Sequence, residues 1–266
     1  MSSLPTVSSA GQSRCLAIEG LTNRRTPRLS SVITKSEAIV DRLKTTIDES
    51  ESLRRLTDDA VALLHESEST RLMTPSRYGG HELSPRALVE AERVIAHGSP
   101  AAAWVLMVTG AHTFIAGRMP VEGQDDVFGK DPGMLIPGVP SPRGTCAPTE
   151  GGYLLNGRWP YASGADPGDW VMVGARGIEN EAGERAPALL VVIPKEKVVI
   201  DDTWFTLGMR GTGSKDIVLD DVFVPERHTV DMVEGMSGTV PGVESRLYQL
   251  PIRATLSTML LGAIVG

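Results

Sequence analysis

From Ser36 to about residue 130, apolar side chains recur every three or four positions: Ile39, Leu43 and Ile47, then Leu53, Leu56, Val61 and Leu64. That spacing keeps one face of a 3.6-residue helix apolar, so the region is predicted helical. "LSPRALVEAERVIAHG" carries its own punctuation, with Ser84 to cap, Pro85 for the first helical position and Gly98 to close. "SPAAAWVLMVTGAHTFIAG" sets small residues against large ones and is expected to be deeply buried, and Pro120 opens a short helix through Phe128. From about Met134 the period shortens. "GYLLNGRW", "WVMVGAR", "ALLVVIP", "VVIDDTW" and "KDIVLDDVFVP" are β-branched or aromatic runs separated by Gly, Pro, Asn or Asp, the pattern of an antiparallel barrel or sandwich. "VESRLYQLPIRATLSTMLLGAIVG" turns helical again, and its Leu256, Met259, Leu260 and Ile264 need a partner to bury them.

The expected fold class is therefore α+β, in four parts. Residues 1–35 form a disordered or targeting-like tail, 36–132 an N-terminal helical domain, 133–240 a middle β-domain, and 241–266 the beginning of a truncated C-terminal helical domain. The tail is Ser- and Arg-rich with Glu19 as its single acidic residue.

Composition narrows the function. A hydrophobic share of 41% and a charged share of 22% suit a globular protein with a sizeable core. The net charge of −7 is spread along the chain and argues against a nucleic-acid or anionic-membrane surface, either of which needs clustered Lys and Arg. Cys15 and Cys146 have neither metal nor redox spacing, so free thiols and a reducing, cytoplasmic location are expected. "WVLMVTGAHTFIAG" is the longest mostly apolar run and is too short to span a bilayer. No metal-ligand spacing is present. Dinucleotide, P-loop, zinc-protease and serine-hydrolase signatures are absent too. "GMRGTGS" at 208–214 lies between strands, where it reads as a tight turn better than as a phosphate cradle.

One stretch resists a scaffold reading. "GRWPYASGADPGDW", residues 157–170, concentrates three aromatics in a chain with 5% of them. Together with "RYGGHELSP" at 77–85 and "WFTLGMRGTGSKDIVLDDVFVPE" at 204–226, the segment "GGYLLNGRWPYASGADPGDWVMVG" at 151–174 resembles the acyl-CoA dehydrogenase superfamily over about residues 36–266. Within it the chain is most similar to the oxygenase components of two-component flavin-dependent monooxygenases. Their loop resembles Trp-x-x-Ser-Ser-Gly, and here it reads Trp159, Pro160, Tyr161, Ala162, Ser163, Gly164.

The resemblance implies hydroxylation of an aromatic or polycyclic small molecule by reduced flavin (FMN or FAD) and O2, through a flavin C4a-hydroperoxide. It implies a separate flavin reductase as partner and a homotetramer at full length. It places Trp159, Tyr161, Ser163, Gly164, Arg210, Thr212 and Ser214 at the flavin, with Ser163 donating to its N5 edge from a dry wall. His112 is the most interesting ionisable group: a neutral imidazole in an apolar helix can take a phenolic proton, although a lone histidine there is commonly a packed core residue. The catalytic pair is thus His112 and Ser163, and the substrate contacts His112 and Ser141. His65, His81, His97 and His228 are read as solvated or packing residues, and Asp166 and Asp169 as shapers of turns. Two other functions fit the same residues: an FAD-dependent acyl-CoA dehydrogenase, and an inactive truncated paralogue.

Overall fold

The computed structural model describes residues 25–238 and 245–253. Cys15 and the apolar series Leu256, Met259, Leu260 and Ile264 lie outside the described residues.

The helices form where the apolar period places them, with caps that satisfy their free N–H groups. Helix α1 (Pro27–Lys44) starts inside the stretch expected as tail, because the Thr26 hydroxyl accepts from Leu29 N at 3.2 Å and Pro27 takes the first turn. Its buried face runs Leu29, Val32, Ile33, Ser36, Ile39, Leu43. Helices α2 (Ile47–Leu53) and α3 (Asp58–Glu66) follow, the latter capped by Thr57. Helix α4 (Pro85–Ala96) opens at Ser84 without a side-chain capping bond and closes on His97. Gly98 serves another purpose: a Cβ there would stand 2.8 Å from the Val40 carbonyl oxygen, so glycine lets α1 pass close.

Helix α5 (Pro100–Ala116) is buried almost all round, as expected, and leaves Trp104 and Val108 half-covered. Gly110 admits α4 at close range, since a Cβ would sit 2.8 Å from Leu88 Cδ2. Helix α6 (Val121–Phe128) completes the group before the sheet, and α7 (Met232–Ser237) follows it. Residues 246–249 form a turn, and Tyr248 packs under Gly117 with its hydroxyl on the Met73 carbonyl at 2.9 Å.

The strands are β1 (Gly138–Thr149), β2 (Gly152–Ala162), β3 (Trp170–Gly177), β4 (Leu189–Pro194), β5 (Val199–Asp201), β6 (Lys215–Pro225) and β7 (Thr229–Asp231). They make one seven-stranded sheet in the order β5-β6-β2-β1-β3-β4-β7. Two expectations are corrected here. The sheet is not closed into a barrel, for β5 and β7 remain edges. It is also not wholly antiparallel, since β1 and β3 run parallel. The β2–β3 connection therefore has to carry the chain from one flank of β1 to the other.

Alternation along β3 and β4 explains the layers. Met172, Leu190 and Val192 join the helical core, while Val171, Val173, Leu189, Val191 and Ile193 meet Leu155, Trp159, Ile217 and Leu219 from β2 and β6. The sheet curls over this second core, a sandwich made from a single sheet.

Candidate active site

The β2–β3 crossover is the aromatic loop singled out in the sequence. Its shape comes from two left-handed residues, Tyr161 at φ 69° and Gly164 at φ 78°. At Tyr161 the β2–β6 register slips between Trp159 and Ala162. The tyrosine ring is thereby thrown outward, 68% exposed. Gly164 is required twice over, because a Cβ would also stand 2.8 Å from Val105 Cγ1 on α5. Its N–H donates to the Thr212 carbonyl at 2.8 Å, which stitches the loop to the "GMRGTGS" turn.

That stitch brings together three hydroxyls 49 and 51 residues apart in pairs. Ser163 Oγ lies 2.7 Å from Ser214 Oγ, and Ser214 Oγ lies 2.8 Å from Thr212 Oγ1. Thr212 donates to the Met209 carbonyl at 2.8 Å. At the other end Trp104 Nε1 donates to Ser163 Oγ at 3.0 Å. All three hydroxyls belong to buried residues.

The expected aromatic wall divides. Trp159 is fully buried in the curled sheet, with Nε1 on the Gly174 carbonyl at 2.6 Å, and so presents no surface to a cofactor. The reason is β2's alternation, which turns it into the second core. Tyr161 does face out, and Trp204 meets it edge-on at 6.2 Å between ring centroids. Phe205 and Leu207, 73% and 104% exposed, extend this apolar surface.

The turn itself is no phosphate cradle. The Glu51 carboxylate on α2 already accepts from the backbone N–H groups of Arg210 and Gly211 at 3.2 and 2.9 Å. The Arg210 side chain remains, with its Nε buried and without a hydrogen-bond partner among the described residues. Asp166, read as a turn-shaper, binds Lys215 at 2.7 Å and accepts from Lys195 through its carbonyl, so it also anchors the loop.

His112 lies two turns along α5 from Trp104. It is 3% exposed, and its Nδ1 donates to the Ile136 carbonyl at 2.8 Å. A carbonyl only accepts, so the neutral ring carries its proton on Nδ1 and leaves the Nε2 lone pair open. Burial pulls its pKa from the ordinary 6.5 down to about 4, against a smaller opposing effect of the Ile136 bond. Ser141, on β1 five residues beyond Ile136, is exposed. Among the described residues no hydrogen bond joins Ser141 to His112 or Ser163.

Two grooves lie elsewhere. One of about 1280 Å³ is lined by Asp126, Trp170, Lys195, Lys197 and His228, and one of about 860 Å³ by Arg77, Arg118, Tyr153 and Tyr248. Neither includes Ser163 or His112. His228, half expected as a packing residue, sits on Asp126 at 2.9 Å and edge-on to Trp170. Volume alone does not choose a site, and convergent polar chemistry favours the stitched loops. An exposed aromatic surface, a hydroxyl with an unused lone pair and an arginine with an orphaned nitrogen together fit a flat, heteroatom-edged, anionic cofactor. Among the described residues no group of His, Cys, Asp and Glu can hold a metal ion, and no helix is long and apolar enough to cross a membrane.

Sequence reasoning missed Trp104 and Glu51. Trp104 had a signal: it is the one large aromatic amid the small residues of the α5 N-terminus. Glu51 had none, because its partners lie 159 and 160 residues away.

The chain is similar to known proteins over most of its length. The chain is 34% identical over 234 residues to the flavin-dependent monooxygenase oxygenase subunit HsaA of Rhodococcus jostii (strain RHA1), covering 86% of this chain and 60% of that one. It is 30% identical over 232 residues to the FADH(2)-dependent resorcinol hydroxylase oxygenase component of Rhizobium sp. (strain MTP-10005), covering 86% and 56%. The crystal structure of XiaF from Streptomyces sp. with FADH2 and glycerol superposes with a TM-score of 0.79 at 30% identity, over 94% of this chain and 62% of that one. No family model matches. The chain thus spans about 60% of the length of the relatives it matches. Its fold is the acyl-CoA dehydrogenase-like one. More narrowly, its homologues are oxygenase components of two-component flavin-dependent monooxygenases.

Proposed function

We propose that this chain is the flavin- and substrate-binding part of such an oxygenase component, accepting reduced FMN or FAD from a separate reductase and hydroxylating a small aromatic or polycyclic compound. The observation that carries this reading is the stitched pair of loops, which ties Ser163 to the turn of Thr212 and Ser214 and sets Tyr161 against Trp204. Homology to flavin-dependent hydroxylases supplies the direction.

Reduced flavin, when bound, supplies the two electrons by which one atom of O2 enters the substrate and the other leaves as water. The chain's own contributions are positional. Ser163, Tyr161, Trp204 and Arg210 would hold the flavin, supplying a hydroxyl for its heteroatom edge, aromatic rings that exclude water and a cation for its phosphate. His112 offers Nε2 to a phenolic O–H. With its pKa near 4, removing a proton from a phenol of pKa about 10 is uphill by about 8 kcal/mol. His112 therefore acts as a hydrogen-bond acceptor that orients the phenol, not as a base that keeps its proton. Ser141 stands at the substrate mouth. In this reading the assembly is a homotetramer in the cytoplasm.

The test is an anaerobic titration with reduced FMN and FAD, then oxygen in the presence of a panel of phenols, with product analysis. Tight binding of reduced flavin and incorporation of oxygen into a phenol is the expected result. Oxidised FAD retained through purification points to the acyl-CoA dehydrogenase reading, and no binding in either state to an inactive paralogue; either outcome overturns the proposal.

A further inference from the structure

Arg54 ends α2 in the left-handed conformation, at φ 54° and ψ 37°. Glycine is the residue that suits this place at a helix terminus, because a side chain there strains the backbone. Closing the helix does not call for an arginine, and the side chain has other work. Its guanidinium forks onto both oxygens of Asp202, 148 residues along, at 2.6 Å each. A further N–H goes to the Trp204 carbonyl at 3.2 Å, and the group lies over the Phe205 ring, 4.0 Å from its centroid. Three residues earlier, on the same face of α2, Glu51 accepts from the backbone N–H groups of Arg210 and Gly211 at 3.2 and 2.9 Å. Between these two grips the segment is tied to itself, for Trp204 Nε1 donates to the Met209 and Arg210 carbonyls at 3.3 and 3.1 Å. The turn is also wedged: a Cβ on Gly211 would stand 3.2 Å from both Ala101 Cβ and Ser50 Cβ.

We propose that Glu51 and Arg54 are positioning residues of the flavin site, holding the two ends of residues 202–211 so that Trp204 stands against Tyr161 before the cofactor binds. The inference rests on the reading of that aromatic surface as the flavin's. Both residues act through the loop, which carries Phe205 and Leu207 out into water, 73% and 104% exposed. Such a segment, left unheld, samples many conformations, and ordering it on binding weakens affinity. Holding it beforehand removes that cost. An ion pair as open as Arg54 and Asp202, whose side chains are 20% and 44% exposed, adds little to global stability. A bidentate guanidinium nonetheless fixes the direction of its partner. What α2 supplies is therefore position rather than stability, and the strained backbone at Arg54 is the mark of it.

The telling variants suit α2 better than the native residues do. Arg54→Gly relieves the left-handed strain, and Glu51→Ala brings in the strongest helix former, while each deletes one grip. Asp202→Asn removes the Arg54 ion pair from the loop side. Chymotrypsin under native conditions reads loop opening through the rate of cutting after Phe205 and Leu207. Anaerobic titration reads the affinity for reduced FMN and FAD, and urea midpoints read global stability. All three variants are expected to be cut about tenfold faster in the loop and to bind reduced flavin about tenfold more weakly, with urea midpoints close to wild type. Arg54→Gly combined with Asp202→Asn should lose no more than either alone, since both delete one contact. Unchanged cutting would show that α2 does not hold the loop. Faster cutting with wild-type affinity, or a midpoint that falls in step with affinity, would reduce the clamp to scaffold. In each of these cases the inference fails while the flavin reading stands. If the wild-type chain binds no flavin, the flavin reading fails and takes this inference with it.

Discussion

Glu92 on α4 and Ser163 on the crossover loop are both sealed from water, in opposite electrostatic circumstances. Glu92 has no exposed surface, and neither carboxylate oxygen has a hydrogen-bond partner among the described residues. Burial lifts its pKa to about 8. His112, in the same helical layer, has one bond and a pKa pulled down to about 4. Ser163 instead belongs to a run of groups that satisfy one another. Glu92 and His112 are buried singly, and burial favours the neutral form of each. The loop junction buries its hydroxyls in series, and they respond by fixing direction. Single burial yields groups that titrate out of place, whereas serial burial yields an oriented hydrogen-bonding edge.

Glu92 gives the largest expected break in that contrast. Its folded pKa is raised, so the stability it allows is full below about pH 4.5 and is lost as pH rises through about 8. The loss approaches about 5 kcal/mol at most. Glu92→Gln, neutral throughout, should flatten this decline, and urea midpoints between about pH 5 and 9 read it directly. A parallel decline in wild type and variant would mean that Glu92 finds a partner.

His112 runs the other way. Its folded pKa is depressed, so its contribution is full above about 6.5 and is lost as pH falls towards about 4. The change is about 3 kcal/mol. His112→Gln should remove that acid-side slope, and it should slow phenol hydroxylation while leaving reduced-flavin affinity unaltered. Equal loss of both would place His112 in the scaffold alone.

Gly164→Ala probes the stitch between the loops. The left-handed backbone and the close Val105 contact together should destabilise the chain by about 1–3 kcal/mol. Val105→Ala in the same chain should recover the part due to contact and not the part due to backbone, a division that calorimetry can resolve. The smallest effect is expected on the serial side: Trp104→Phe deletes one donor and keeps the ring, at about 1 kcal/mol. It should leave the Ser163, Ser214 and Thr212 contacts in place, so the urea midpoint should fall with the slope unchanged. A changed slope would show that the indole holds the whole junction together.

Much of this was written in local pattern. Helical spacing gave α1 to α6 apart from their ends, and Pro27 behind Thr26 moved the first helix earlier because capping, invisible to apolar spacing, decides where a helix begins. The short β-branched runs gave β2 to β6 but not β7 or β1, whose Pro140, Pro142 and Pro148 hide a strand from local pattern. They could not give the parallel β1–β3 pair or the open edges, because pairing is chosen by contacts between distant segments. The same limit applies at the site. Ser163, Thr212, Ser214, Arg210 and Tyr161 were legible through motif resemblance, and Trp159 was legible as an aromatic, but whether its ring faced a ligand or the core depended on which face of β2 was covered.

The sequence by itself determined the periodicities, the positions that demand glycine or proline, and the residue types available for chemistry, since each of these is a property of neighbours in the chain. Only the tertiary structure decided which way the Ser163 proton points. That direction is set by a carbonyl 46 residues downstream, at Met209, through two intervening hydroxyls, and a hydrogen bond exists only where folding brings its two ends within reach.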